Sequence, residues 1–244
     1  MEAILLAGGL GTRLHAVTGD KYPKCLAKVD GKPFIFYLID FLQRHGITNF
    51  IFAVSHHADM VKDAIDSAYP SLAKSYSVEE QPLGTGGAIK QALSHATGEK
   101  VLVLNADSFV EFDVAAFIAF SKRDDADLSM VCIEVSDIGR FGAAQINDDC
   151  LTGFSEKGGS GSGYINAGVY CIKRKHPAIA LYDSTSKFSF ESDILSDRKN
   201  KVGVYKTKGL FFDIGTPDDF ALSHQLVSIN KQVIEQWQPD EKPY

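Results

Sequence analysis

No apolar run in these 244 residues approaches the roughly 20 that a membrane-spanning helix needs, so the chain is not expected to span a membrane. A secretory leader is not expected either. The start, MEAILLAGGLGTRL, has an acidic second residue and its first basic residue only at Arg13, the reverse of a signal peptide, and a cytoplasmic protein is expected. Nor is there an excess of positive charge. Lys and Arg number 25 against 31 Asp and Glu, a net charge of −6, which gives no broad basic field and makes nucleic acid an unexpected partner. Cys25, Cys132, Cys150 and Cys171 are far apart in sequence, and none forms the CxxC spacing of a zinc or redox site. Reduced thiols packed in the core are expected.

The composition, 45% hydrophobic and 23% charged, suits one compact domain, because single cores grow to roughly 250 to 300 residues before chains divide. Apolar runs rich in Ile, Val and Phe alternate with segments of helical period, the pattern of a largely parallel sheet covered by helices on both faces. The class expected is α/β. In the first half the periodicity predicts strands at 3–6, 50–54, 76–78 and 101–104 and helices at 34–45, 59–68 and 85–96, with the strands neighbouring one another. After Asp113 come a helix at 114–121 and closely spaced strands at 128–135, 142–146, 151–154 and 164–172. A short helix at 190–195, strands at 202–205 and 210–212, and a helix at 217–229 capped by Thr216 complete the chain. This order divides residues 1–244, expected as a single domain, into a first half at 1–112, a second half at 113–216, and a C-terminal helix and tail at 217–244. The tail QPDEKPY is expected to fray, and KGGSGSG at 157–163 to form a mobile turn or a loop over a site. Phe34, Phe36, Phe41 and Phe52 are expected in the core.

The strongest local feature is LLAGGLGTRL, where Gly8, Gly9 and Gly11 follow a buried strand and let backbone amides approach an anion unobstructed. It carries neither the GK[ST] ending of a Walker loop nor the GxGxxG of a dinucleotide site. The second strand ends in Val54, Ser55, His56 and His57, so no carboxylate stands where a nicotinamide cofactor's ribose would want one. The loop does carry Arg13, with Lys24 eleven residues further in KYPKCLAKVDGKPFI, a fork and a point charge suited to a polyphosphate. The plainer alternative is two basic residues solvating a surface loop.

With these residues in view, the sequence resembles the sugar-nucleotidyltransferases, which join a sugar 1-phosphate to a nucleoside triphosphate. The matches are LLAGGLGTRL, YPKCLAKVDGKPFI, EEQPLGTGGAI, LNADSF, FSEKG, YINAGVY and FFDIGTPDDF, in the family's order over nearly the whole chain. The resemblance implies a Rossmann-like three-layer sandwich with a mixed, mostly parallel central sheet, in one nucleotidyltransferase domain whose nucleotide-binding half is 1–112 and whose sugar-binding half is 113–216. LGTGGAI, FSFESDIL and FFDIGTPDDF resemble most the branch that transfers GMP from GTP to D-glycero-D-manno-heptose 1-phosphate. Mannose 1-phosphate guanylyl transfer, and uridylyl or thymidylyl transfer to another sugar 1-phosphate, remain alternatives. No hexapeptide repeats follow the last helix, so no acyl-transferring β-helix is expected. Ala106 stands where many members have glycine.

In such a reaction the nucleophile is a phosphate oxygen already mostly ionised at neutral pH, its second pKa being about 6, so no catalytic base is needed. The burden falls on positioning and charge neutralisation at the α-phosphorus. Asp107 ends the strand VLVLNAD and Asp213 follows GLFF, which places both at carboxyl ends of strands, where open α/β sheets bind ligands. The resemblance makes them the ligands of Mg2+, although an aspartate there can simply cap a turn. It assigns Arg13 to the β- and γ-phosphates, Lys24 to the α-phosphate, and Lys157 to the sugar phosphate. Leu6, Ala7, Gly8, Gly9, Gly11, Thr12, Gln81, Gly84, Thr85 and Gly86 would hold the nucleotide, with Gln81 reading the base. A glutamine carbonyl accepts from the ring N–H of guanine, uracil or thymine alike and cannot choose among them. Asn105, Gly142, Glu156, Asn166, Gly168 and Glu191 would line the sugar pocket, although several of these are common turn residues.

His56 and His57 lack zinc spacing and are expected to lead into a helix. The runs Asp124, Asp125, Asp127 and Lys173, Arg174, Lys175 fit solvated loops. A rival of another class is a regulatory module that binds a nucleotide sugar without turning it over. As for assembly, a monomer or homodimer is expected.

Overall fold

The computed structural model of the protein describes residues 1–9, 11–14, 22–123, 126–231 and 234. The expected features at Asp124, Asp125 and the tail QPDEKPY lie outside them. Among the described residues thirteen strands run in chain order: β1 (Glu2–Leu6), β2 (Lys28–Val29), β3 (Lys32–Pro33), β4 (Asn49–Val54), β5 (Ala73–Val78), β6 (Lys100–Asn105), β7 (Ser108–Val110), β8 (Leu128–Val135), β9 (Ala144–Asn147), β10 (Cys150–Phe154), β11 (Gly163–Lys173), β12 (Val202–Thr207) and β13 (Phe211–Asp213). The α-helices are α1 (Phe34–Arg44), α2 (Ala58–Ala68), α3 (Gly84–Leu93), α4 (Val114–Arg123), α5 (Pro177–Ala180) and α6 (Pro217–Ile229). Phe190–Leu195 forms a π-helical turn.

Nine strands make one sheet in the order β5-β4-β1-β6-β11-β8-β12-β10-β9. The four first-half strands are parallel neighbours. β11 runs antiparallel between β6 and β8, and β10 antiparallel between β12 and β9. The other strands share one direction, so the sheet is mixed but mostly parallel. It is continuous across both halves of the chain. Its strands read as unbroken apolar runs because both faces are covered. Leu102 and Leu104 of β6 join the core under α1, α2, α4 and α6, while Val101 and Val103 join a second core under α3, α5 and the π turn. Three layers result.

At the entry to α2, His57 adopts a left-handed φ of 60°, and the His56 ring packs against it, tilted by 54° with 3.9 Å between centroids. The cysteines are free thiols, with Cys25, Cys132 and Cys171 buried and Cys150 half-buried. Phe34, Phe41 and Phe52 are buried, whereas Phe36 is only partly so and packs edge-on against Tyr69. The two charged runs are not both free in solvent, since Lys173 pairs with Asp127 at 3.0 Å. Three small elements carry no legible period in the sequence: the β2-β3 ladder, α5, and β7. Paired antiparallel to β13, β7 matters most for the site.

Candidate active site

In the order β5-β4-β1-β6 the chain leaves β1 in one direction to build β4 and β5, then crosses to the other side for β6. The crevice beyond the carboxyl ends of β1 and β6 is therefore a topological switch point, where open α/β sheets hold ligands. The glycine loop follows β1 and Asp107 follows β6. The loop is pinned by Ala7 N–H to Ala53 O at 2.8 Å and by the Ser55 hydroxyl to Gly8 O at 2.6 Å. Gly11 has φ 62°, and a Cβ there would lie 2.9 Å from Lys24 Cβ. Glycine is required for both reasons, and the close packing keeps the lysine stem in place.

Lys24 heads a one-turn helix, Lys24–Leu26. It is buried, and its Nζ reaches Asp107 Oδ2 at 2.6 Å. Asp213 arrives by sheet register. It ends β13 opposite Ser108 of β7, and the next residue, Ile214, donates its N–H to Asp107 O at 2.9 Å. Two carboxylates more than a hundred positions apart in sequence thus flank one spot. Burial raises the Asp213 carboxyl pKa above the usual range, the Gly215 N–H at 2.7 Å offsets part of this, and the charges of Asp219 and Asp107 add to the rise. Among the described residues no Lys or Arg lies within ion-pair distance of Asp213.

Two cavities adjoin here. The first, about 300 Å³, is lined by Leu6, Ala7, Gly8, Gly9 and Lys24 on one side and by Glu79, Gly84, Thr85, Asn105 and Asp107 on the other. The second, about 390 Å³, is polar and includes Arg13, Arg140, Lys157, Asn166, Gly168, Asp213 and Asp219 in its wall. Asn105 and Asp107 belong to both. β11 reaches the second cavity through an irregularity between Asn166 and Tyr170. There the Asn166 side chain accepts from Gly168 N–H at 2.9 Å and donates to the Tyr170 hydroxyl at 2.8 Å.

Not every expected residue lines a cavity. Arg13 lies on the wall of the second cavity, beside Lys157, and not in the first. Gln81 and Thr12 are exposed and outside both. Gly86 is packed under the Phe188 ring. Gly142, at φ 79°, sits where a Cβ would be 2.6 Å from Ser155 O, so it packs against the open end of the β9-β10 hairpin. Glu156 is exposed, and Glu191 accepts from Thr85 Oγ1 at 2.6 Å, holding a residue that lines the first cavity.

Sequence reasoning passed over Glu79, Arg140 and Asp219. Arg140 pairs with buried Asp219 and lies over the Phe141 ring at 5.3 Å. Burial pushes the Asp219 pKa up, but bonds from Arg140 and the Thr216 hydroxyl outweigh this and hold it below the usual value. Glu79 follows β5 at a strand's carboxyl end, the same positional signal that marks Asp107. No helix among the described residues is long and apolar enough to cross a membrane.

A glycine loop and paired carboxylates at the switch point of a mostly parallel sheet define an α/β protein built to handle phosphate esters. The chain belongs to the Nucleotidyl transferase family, whose model matches residues 2–228. It is 36% identical over 223 residues to the D-glycero-alpha-D-manno-heptose 1-phosphate guanylyltransferase of Aneurinibacillus thermoaerophilus, covering 90% of this chain and 95% of that one. The Campylobacter jejuni protein of the same name is 33% identical, with 90% and 97% covered. The crystal structure of HddC from Yersinia pseudotuberculosis complexed with GMP-PN superposes with a TM-score of 0.82 at 37% identity, covering 92% of this chain and 98% of that one.

Proposed function

We propose that this protein transfers the guanylyl group of GTP to D-glycero-D-manno-heptose 1-phosphate, releasing pyrophosphate. The observation that carries the reading is the convergence of Lys24, Asp107 and Asp213 where the two cavities meet. The first cavity takes the nucleotide and the second the sugar phosphate. The similarity to two heptose 1-phosphate guanylyltransferases supports this choice of substrates. This chain's own residues line both cavities, and a monomer or a homodimer fits the reading. A cytoplasmic location goes with the reading, since GTP is an intracellular substrate.

An oxygen of the sugar phosphate, ionised at neutral pH without help from a base, attacks the α-phosphorus in line. The new oxygen–phosphorus bond forms as the bond to the β-phosphate bridge breaks, and the electron pair leaves with pyrophosphate. Lys24, fixed by Asp107 and by the close packing against Gly11, stabilises charge on the α-phosphoryl oxygens. Its value lies in being oriented before the reaction begins. Arg13 and Lys157 in the second-cavity wall bind anionic oxygens and draw the two polyanions together against their repulsion.

Asp107 and Asp213 fit Mg2+: they are hard oxygen donors, and Asp213 is a half-buried carboxylate that forms no ion pair among the described residues. No group of three or more acidic, His or Cys side chains converges among those residues. Two carboxylates suit an ion that completes its shell with water and substrate phosphates. Such an ion would neutralise phosphate charge and align donor and acceptor.

The test is pyrophosphate release from four nucleoside triphosphates, each paired with heptose, mannose and glucose 1-phosphates in the presence of Mg2+. GTP with the heptose phosphate should give the highest kcat/KM. Nucleotide binding with no pyrophosphate from any pair would favour the regulatory module instead.

A further inference from the structure

The phosphate chemistry leaves one carboxylate of the first cavity unused. Glu79 extends the ladder beyond β5, its N–H donating to Val54 O at 2.8 Å. Its Oε2 accepts from Leu83 N–H at 2.9 Å, which aims the side chain across the cavity mouth. Its Oε1 faces the glycine loop, 3.0 Å from where a Cβ on Gly8 would stand. The group is half-buried and forms no ion pair among the described residues. Burial raises its pKa, and the Leu83 N–H offsets the rise only in part. A carboxylate in a cavity wall whose charged form burial disfavours is a candidate ligand-binding group, because a ligand's donors can fill the acceptor sites left open.

The rest of this cavity shows what that ligand is. Leu6, Ala7, Ala53, Pro82 and Ala88 give it largely apolar walls, suited to the faces of a flat ring. Lys24 and Asp107 mark the phosphate end, so Glu79 meets the base. An ionised carboxylate only accepts hydrogen bonds, through two parallel oxygens. Guanine presents two adjacent donors on one edge, the ring N1–H and the 2-amino group. Uracil and thymine present one N–H between two carbonyl oxygens, which a carboxylate repels. Adenine and cytosine place a bare ring nitrogen beside their amino group, with the same result. We propose that Glu79 selects guanine by accepting hydrogen bonds from both N1–H and the 2-amino group. Gln81, exposed and outside the cavity, does not make this contact. The inference rests on the nucleotidyl-transfer reading above, because that reading orients the triphosphate in the cavity.

The experiment compares the unmodified protein with Glu79→Gln. Glutamine keeps the volume and an oxygen for Leu83 N–H, so the turn survives, but it replaces one acceptor by a donor. Two readouts are taken: kcat/KM for GTP, ITP, ATP and UTP with the sugar 1-phosphate, and calorimetric Kd for GTP and ITP without it. ITP differs from GTP only in lacking the 2-amino group. The unmodified protein should favour GTP over ITP by about 10- to 100-fold, the range for one hydrogen bond to a charged group. In Glu79→Gln that ratio should fall to about threefold or less through loss of GTP affinity, with the melting temperature retained. A GTP to ITP ratio unchanged by the substitution would overturn the proposal and leave Glu79 as a brace for Leu83. So would an unmodified protein that prefers UTP, a result that would also refute GTP as the donor while leaving nucleotidyl transfer itself standing. Failure of that reading looks different: no pyrophosphate from any triphosphate, with a Glu79-dependent preference for GTP still visible by calorimetry, which supports the base assignment.

Discussion

Replacing Lys24 by methionine removes one charge and little else. The lysine side chain is only 9% exposed, and a methionine of nearly the same length keeps the stem packed where Gly11 gives way to it. Its partner Asp107 is 43% exposed, so water can solvate the released carboxylate, and the lost ion pair should cost no more than about 1 kcal/mol of stability. Catalysis should suffer far more, because Nζ is held in place before the α-phosphoryl charge develops. Removing one preorganised donor of this kind costs about 2.7 to 4 kcal/mol, or roughly 100- to 1,000-fold in rate. The assay is continuous pyrophosphate release with each substrate varied in turn, alongside thermal unfolding. The expected result is a kcat/KM at least about 100-fold lower, with a melting temperature within a few degrees of the unmodified protein. Lys24→Ala should lose at least as much. A value within threefold of normal for correctly folded Lys24→Met would refute the placement of Lys24 at the reacting phosphate.

Asp213→Asn keeps an acceptor for Gly215 N–H but removes a charge that burial, Asp219 and Asp107 all disfavour. Since the folded-state pKa is raised, the ionised form weakens the fold above that pKa, and the effect vanishes below the unfolded value near 3.8. The variant should melt at or above the normal temperature at pH 7, with no advantage in strong acid, while Mg2+-dependent turnover falls by about 100-fold or more. Gly84→Ala combines a φ of 74° with a Cβ 2.5 Å from Phe188 O, the acceptor of Gly86 N–H. Gly46→Ala has φ 78° but open space around its Cβ, so the difference between their melting temperatures isolates the clash. Gly84→Ala should lie lower by several degrees. Arg140→Ala removes a second-cavity cation and leaves Asp219 with the Thr216 hydroxyl. KM for the sugar 1-phosphate should rise about tenfold with KM for the nucleotide unchanged, and equal rises in both would place Arg140 elsewhere in the mechanism.

Where local pattern and environment agree, the sequence is legible. β1, β4 and β6 are apolar at every buried position because each feeds two cores, and Thr216 caps α6 by accepting from Asp219 N–H. The end of β6 also announces Asp107. What brings Asp213 to it is the pairing of two three-residue strands: β13 lies within one residue of the strand expected at 210–212, but β7 shows no period, and nothing local announces that the two pair. Long-range packing is hidden in the same way. Gly86 reads as part of a nucleotide turn, yet its smallness is demanded by the ring of Phe188, about a hundred positions later. Glu79 carries the same positional signal as Asp107, being the first residue after a strand in a sheet whose strand ends face the cavities. The neighbouring amide of Gln81 drew attention because a glutamine suits many bases, and only the cavity wall shows which of the two faces inward.

The spatial order of these groups makes their energetic coupling predictable. Glu79 lies beyond β5, Lys24 and Asp107 at the β1-β6 crevice, and Arg140 at the far side of Asp219 in the second cavity. Glu79 and Arg140 share no bonded partner, so Glu79→Gln and Arg140→Ala should act on kcat/KM independently, their fold-effects multiplying. Lys24 and Asp213 both act through Asp107, one by an ion pair and the other by charge and proximity. Once Lys24 is methionine, the phosphoryl group is no longer held correctly, and losing Asp213 removes less. The double variant Lys24→Met, Asp213→Asn should therefore fall short of the product of the single effects by at least about tenfold, as expected for residues that work as a unit. Single and double variants measured at saturating Mg2+ supply the cycle. Full multiplicativity would mean that the two residues act at separate steps, and the shared site at the junction of the cavities would have to be abandoned.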